Sequence, residues 1–420
     1  MKIWLIKEGE PLPTDDNPRM MRTGLLAEYL DKGDHEVIWF SSTFSHGQKR
    51  ERANKTTTRK IFKNSILIML KTKTIYKKNV SLQRILYSEQ LGKEFYRQAL
   101  ISDKPDLVIC SYPLISFAKY AISIGEKFNI PVIIDIRDLW PDIFERAIPK
   151  KLRFLSKILL YPFQQSASNI LKKADCITAI VPSHLEWALK KAGRNRNKYD
   201  QVIHIGYKNF MLEEDVMEKE IIQYYERFSI SKNTWNIIFI GTMSKMTMDL
   251  DTVIKGFNQL SKVHTNLRLI LCGDGDALNY YKKIASSENI IFTGWINKNQ
   301  IASLMSISKI ALYPLHNLPD FINSLTNKVI EYMYGGLPII TSLRGYSKQY
   351  LEKNNIGIYY EEESVESFSQ SIVTLYNNEE MRGKLSINSR NCYERDFNSD
   401  VINEKFEFLI NDIVKIESKL

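Results

Sequence analysis

A chain of 420 residues exceeds one ordinary α/β domain and suits two of roughly 200 residues, each with its own core. Hydrophobic content of 44% and charged content of 25%, with no low-complexity tract, exclude a disordered or fibrous chain. The net charge of +10 asks for an anionic partner; it is concentrated in QKRERANKTTTRK from Gln48 and KTKTIYKK from Lys71. A solvated basic face accounts for it, and so does an anionic membrane surface, where each Lys or Arg contributes about 1 kcal/mol. Nucleic acid is not expected, because no RRM, KH or helix-turn-helix signature accompanies the charge.

In chain order, KIWLI at Lys2 reads as a first strand, since Lys7 and Glu8 end its apolar run too soon for a secretory signal. A helix opened by Pro18 and ended by Gly33 follows, which puts Arg19 and Arg22 in its first turns, where the dipole disfavours cations. Such placement suits an anionic ligand or a solvent-facing side chain. Further strands are expected at Glu36, Asp106, Pro131, Cys176 and Gln201, then at Asn236, Leu267, Ile290, Lys309, Pro338 and Gly357. They alternate with stretches of helical period, the pattern of two doubly wound α/β domains. The expected divisions are 1–207, a linker with a helix over 208–233, 234–390, and a closing helix over 391–420 carrying Phe406, Leu409, Ile410 and Ile413.

SILIML at Ser65 and FLSKILLYPF at Phe154 fall short of the roughly 20 residues a membrane span needs. Cys110, Cys176 and Cys272 sit in separate apolar runs, Cys392 sits in a polar helix, and none has CxxC spacing, so reduced thiols and a cytoplasmic location are expected. His184 reads as part of a helix start, between Ser183 and Glu186 of a capping box, with Gly193 as the stop. No cluster of His, Cys and acidic residues has metal spacing, so neither metal nor other cofactor is expected.

The densest signal is PDFINSLTNKVIEYMYGGLPIITS, from Pro319 to Ser342. It reads as a polar loop, a helix from about Thr326, a Gly335-Gly336 stop and a strand after Pro338. In parallel sheets ligands bind where strand ends lead into helix starts. The first-turn amides of this helix, around Asn327, suit a diphosphate, and Lys328 adds a full charge. Glu331, one turn in, can reach vicinal ribose hydroxyls; an ordinary helix-surface glutamate is the alternative from the pattern alone. A second charged strand end, IDIRDLWPD from Ile134, presents Asp135, Arg137 and Asp138 either to a ligand or to one another.

These segments resemble retaining glycosyltransferase family 4, of GT-B fold, whose signature has two glutamates seven residues apart before a G-x-P strand. Glu331 matches the second glutamate and Gly336 to Ile340 the strand; the first, which holds donor-sugar hydroxyls, falls on Asn323, with Ser324 beside it. CGDGD around Gly275 resembles the family's Gly-Asp-Gly turn, Gly294 and Trp295 its base pocket, and Gly241 to Lys245 its diphosphate loop, with Thr242 where arginine is usual and Lys245 as the remaining cation. RDLWPD and GEPLP resemble the subgroup that builds bacterial capsule and O-antigen, with Arg137 where a sugar-contacting histidine is common. The resemblance implies a nucleotide-sugar donor, with UDP as the base, bound between two Rossmann-like domains. It also implies a polyprenyl-diphosphate-linked saccharide acceptor near Gly9, Glu10, Arg19 and Arg22, at the inner face of the membrane. Anomeric configuration should be retained, with Asp138 as the candidate proton acceptor after the leaving phosphate itself.

Overall fold

The computed structural model describes residues 1–16, 18–78, 81–144, 153–208 and 212–417. The chain divides into two compact units, Met1–Lys208 with Ser399–Leu420, and Asn209–Asn398.

Unit 1 runs β1 (Lys2–Ile6), α1 (Arg22–Lys32), β2 (Glu36–Ser42), β3 (Phe44–Ser45), β4 (Arg50–Glu51), β5 (Thr57–Lys60), β6 (Ser65–Leu70), α2 (Leu82–Leu100), β7 (Leu107–Tyr112), α3 (Ile115–Phe128), β8 (Val132–Ile136), α4 (Arg153–Lys173), β9 (Cys176–Ala179), α5 (Pro182–Ala192) and β10 (Gln201–Val202). Its main sheet has the order β10-β9-β8-β7-β1-β2-β6-β5, parallel except for β5. Strand β1 shows why a continuous apolar run forms a central strand. Trp4 and Ile6 enter one core with Phe40 and Val108, while Ile3 and Leu5 enter the opposite core with Trp39 and Ile109. Both faces are covered, so no polar alternation survives.

Unit 2 runs α6 (Glu214–Glu220), β11 (Trp235–Ile240), α7 (Leu250–Val263), β12 (Leu267–Cys272), α8 (Leu278–Ile284), β13 (Ile290–Gly294), α9 (Lys298–Ser306), β14 (Ser308–Tyr313), α10 (Pro319–Ile322), α11 (Asn327–Tyr334), β15 (Ile339–Thr341), α12 (Tyr346–Asn354), β16 (Gly357–Tyr359), α13 (Val365–Asn377) and α14 (Glu379–Cys392). Its sheet, β13-β12-β11-β14-β15-β16, is wholly parallel. That is the doubly wound order in which the chain reverses direction across the sheet between its first and fourth strands. The closing helix, α15 (Ser399–Glu417), returns to unit 1, where Ile402, Phe406, Leu409, Ile410 and Ile413 complete the core against Ile3 and Leu5.

Several expectations change. SILIML, weighed only as a membrane segment, is β6, paired with β2 along its whole length. Of the stretch expected as a linker over 208–233, residues 209–211 lie outside the described residues, Lys208 belongs to unit 1, and residues 212–233 pack into unit 2: Ile221 and Tyr225 are buried, and the Tyr225 hydroxyl donates to Gln300 O at 2.8 Å. Helix α1 begins at Arg22 rather than Pro18, with Met21 as its N-cap. Helix α5 starts at Pro182, whose ring presets the first helical turn, so Val181 is the N-cap and Ser183 lies inside the helix instead of forming a capping box. Gly193 does end that helix, at φ 64°. His184 is buried among apolar neighbours, which pushes its imidazole pKa down to about 4. Cys392, in its polar helix, is buried like the other three thiols, and all four are free.

Candidate functional site

In unit 2 the order reversal lies between β11 and β14, and the loops leaving those strands frame the site. Helix α11 is fastened to the end of β11 by two side chains. The Ile240 amide donates to the Tyr332 hydroxyl at 2.9 Å, and the Lys328 ammonium donates to the Ile240 carbonyl. Tyr332 is fully buried, which pushes its phenol well above the ordinary range and keeps it neutral. A Cβ on Gly241 would strike the Lys328 ammonium, so the glycine is what lets the cation lie against this strand end. Lys328 thus comes to the backbone of the loop in which a diphosphate is expected.

The preceding loop is shaped by α10 and anchored by the Ser347 hydroxyl, which donates to Ser324 O at 2.8 Å. Asn323 is exposed at the C-cap of α10, and Thr326 is the N-cap of α11 without a side-chain cap bond. Thr326 Oγ1 is buried and meets no hydrogen-bond partner among the described residues. Asn327 opens the helix, exposed, and Glu331 follows one turn in, 7% exposed.

The loops after β11, β12 and β13 lie backbone on backbone. Gly241 N donates to Cys272 O at 2.8 Å, Gly273 N to Gly294 O at 2.7 Å, and Met243 N to Asp274 O at 2.9 Å. Contacts this close need glycine. Gly273 has φ 126° and its Cβ would meet the Gly241 carbonyl oxygen, while a Cβ on Gly275 would meet that of Met243. Gly294, at φ 72°, turns the chain into Trp295, which is 78% exposed. Thr242 is exposed beside them. Gly273→Ala is expected to lower the melting temperature, since a non-glycine residue in such a conformation costs about 1–3 kcal/mol. Thermal unfolding measures this; an unchanged melting temperature would refute this account of the turn.

Lys245 is held elsewhere. Its ammonium lies 3.2 Å from the centroid of Tyr280, whose hydroxyl donates to Asp251 at 2.5 Å. The expectation of no Asp-x-Asp triplet between strands fails at 249–251 and 274–276, and both triplets have local tasks here. Asp249 is buried and accepts from Thr252 Oγ1 at 2.6 Å and from Tyr360 and the Glu363 amide at 3.1 Å; Asp274 accepts from the Gly275 amide at 2.7 Å. Among the described residues no group of three His, Cys, Asp or Glu gathers as a metal site.

In unit 1 the sheet order reverses between β1 and β7, and a cavity of about 280 Å³ opens at their ends. Gly9, Arg137 and Asp138 line it, together with Lys7, Glu8, His46, Arg84 and Trp140, which carry no sequence signal of a site. Burial pushes the Asp138 carboxyl up despite the Leu139 amide that donates to it at 2.8 Å. Beneath lies a buried ion network. Arg22 grips Asp135 through Nε at 3.0 Å and Nη2 at 2.9 Å; Arg137 Nε reaches the same carboxylate at 2.8 Å and its Nη1 pairs with Glu10. Glu10 also accepts from the Thr23 amide and hydroxyl, both at 3.1 Å, and Asp135 from Thr178 Oγ1 at 2.8 Å.

The network corrects part of the acceptor expectation. Arg22 does open a helix, but a buried carboxylate two strands away answers its charge, and it is only 4% exposed. Glu10, 5% exposed, is likewise spent on Arg137 and Thr23. Arg19 lies outside α1, exposed, with its guanidinium 5.3 Å from the Tyr207 centroid.

Two Rossmann-like units with these loops define a GT-B fold, and solved structures of that fold match nearly the whole chain. Sucrose-phosphate synthase from Thermosynechococcus elongatus superposes with TM-score 0.70 at 15% identity, covering 99% of both chains. HepE of Anabaena in complex with UDP superposes with TM-score 0.65 at 13% identity, covering 98% of this chain and 100% of that one. Residues 222–392 match the family model described as Glycosyl transferases group 1, so unit 2 carries a group 1 glycosyltransferase domain. An uncharacterized glycosyltransferase of Methanocaldococcus jannaschii is 25% identical over 223 residues, 48% of this chain and 55% of that protein, so the match spans about half the relative's length.

Proposed function

We propose that the protein is a retaining glycosyltransferase that moves a sugar from a UDP-sugar to a polyprenyl-diphosphate-linked saccharide, in the synthesis of a bacterial surface polysaccharide. The observation that carries this is the convergence, at the order reversal of unit 2, of the Gly241, Gly273, Gly275 and Gly294 turns with the start of α11 and Glu331, inside the matched domain. Backbone amides and Lys328 receive the diphosphate, Glu331 the ribose, and Trp295 the base. Asn323 and Ser324 face the donor sugar. The HepE complex with UDP supports the choice of base.

In this reading the departing diphosphate gains charge where the helix start and Lys328 stabilise it, and Lys245 leaves Tyr280 to assist. The phosphate takes the acceptor proton, and Asp138, with its raised pKa, is the alternative base. The transfer needs no metal ion. A place on the cytoplasmic side of an anionic membrane is supported by the lysine-rich segments of unit 1 and by apolar side chains exposed on α2 and α4: Leu82 is 79% exposed and Ile158 71%. Among the described residues no helix is long and apolar enough to cross a membrane.

A panel of nucleotide sugars with polyprenyl-diphosphate saccharides in anionic vesicles tests the whole. Mass and linkage of the product should show one added sugar with the donor's anomeric configuration. Inversion, or an altered nucleotide sugar formed without acceptor, would replace this reading with another activity of the same architecture.

A further inference from the structure

The cavity of unit 1 stands at the order reversal between β1 and β7, the place where a doubly wound sheet leaves a crevice for a ligand. Its volume of about 280 Å³ lies at the small end of ligand sites, enough for one sugar ring and too little for a nucleoside diphosphate. Two of its side chains are prepared for hydroxyl groups. Glu8 Oε2 is buried and meets no hydrogen-bond donor among the described residues. Burial pushes that carboxyl up, against the pull of Lys7, Arg84 and Lys49. A buried acceptor left without a donor destabilises the free protein, so a partner that brings a hydroxyl gains what the protein lacks.

His46 supplies the complement. Its Nδ1 faces the Tyr76 hydroxyl and, at 3.5 Å, the Lys49 ammonium. An ammonium only donates, so Nδ1 is the acceptor and Nε2 carries the ring proton. Burial, with Lys49, Arg84 and Lys7 close by, pushes the His46 pKa down to about 4, so this donor stays a neutral imidazole at physiological pH. Trp140 adds an apolar wall, held by the Arg84 guanidinium 4.5 Å from its centroid.

We propose that this cavity seats one neutral sugar ring of the acceptor saccharide, with Glu8 accepting a hydrogen bond from a ring hydroxyl, so that Glu8 rather than Glu10 or Arg22 sets acceptor specificity. The word acceptor rests on the transferase reading above; the preference for a neutral hydroxylated ring rests on the cavity alone.

The test uses the full chain and the variants Glu8→Gln and Glu8→Leu. Without ligand, both should melt at or above the wild-type temperature, because Glu8→Leu removes the buried Oε2 that meets no donor among the described residues and Glu8→Gln removes its buried charge. Melting several degrees lower would make Glu8 a structural residue and overturn the proposal. Saturation-transfer NMR with the methyl glycosides of glucose, galactose, mannose and N-acetylglucosamine should show at least one binding to the wild type. That binding should fall at least tenfold in Glu8→Leu and less in Glu8→Gln. No glycoside binding, equal binding by all three proteins, or binding of glucuronate and inorganic phosphate alone would each overturn it. UDP affinity, read separately, should be the same in all three. Loss of UDP binding by the wild type would strike the transferase reading and leave the glycoside result standing.

Discussion

Glu331→Ala should weaken UDP binding by roughly a hundredfold. A carboxylate that accepts from two ribose hydroxyls makes bonds of the charged class, about 1.5–3 kcal/mol each when a partner is removed, and a loss near 3 kcal/mol is about two orders of magnitude in affinity. Position favours this use: Glu331 lies one turn beyond the start of α11, on the helix that Tyr332 and Lys328 fasten to the end of β11. Glu331→Gln keeps the shape and half the accepting capacity, so it should fall between alanine and wild type. Isothermal titration with UDP, beside a melting curve for each variant, separates ribose contact from helix stability. UDP affinity unchanged in a folded alanine variant would end the ribose assignment.

Asp135→Ala should cost about 3–5 kcal/mol of stability, because it leaves the buried Arg22 and the partly buried Arg137 with their shared carboxylate gone. Asp135→Asn keeps the shape and isolates the charge. Burial pushes the Asp135 carboxyl up, but the two guanidiniums outweigh it and hold the group well below the usual carboxylate range. The sign follows from linkage. A carboxyl depressed in the folded state contributes stability that is complete above the unfolded value, near 3.9, and is lost as pH falls from there toward the folded value. Urea unfolding of wild type should therefore decline with acid below about pH 5, and the Asn variant should show a shallower decline from a lower start. Equal acid slopes for the two proteins would show that the network does not carry this charge.

Much of the fold was legible because parallel strands buried on both faces read as unbroken apolar runs, as KIWLI and NIIFIG do. The short pieces β3, β4 and β5 were not. TTRK in β5 is an edge strand with three exposed residues, and nothing in it repeats at period 2. In unit 2 the family resemblance marked Gly241, Gly275 and Gly294 and the local pattern marked Glu331, and the structure puts the three glycines in the turns after β11, β12 and β13 and Glu331 one turn into α11. Sequence could not show that the Lys245 ammonium lies on Tyr280 of a later helix, or that Arg22 and Asp135 meet across 113 positions. Pro18 suggested a helix start, yet the chain first passes Met21, and the cation that looked misplaced at the head of α1 is answered by a strand two places away in the sheet. Glu8 and His46 carry no local signature; only the strand order brings them to one cavity.

Helix α15 gives the chain an unusual order of completion. It is synthesised long after β1, yet five of its apolar side chains close the core built on that strand. The ribosome therefore releases unit 2 with its sheet complete while one face of unit 1 still waits, with Ile3 and Leu5 uncovered until residues past 399 emerge. The usual sequence, in which the amino-terminal domain matures first, is reversed. A nascent chain therefore depends on residues 399–417 to cover a face of β1 that was made much earlier.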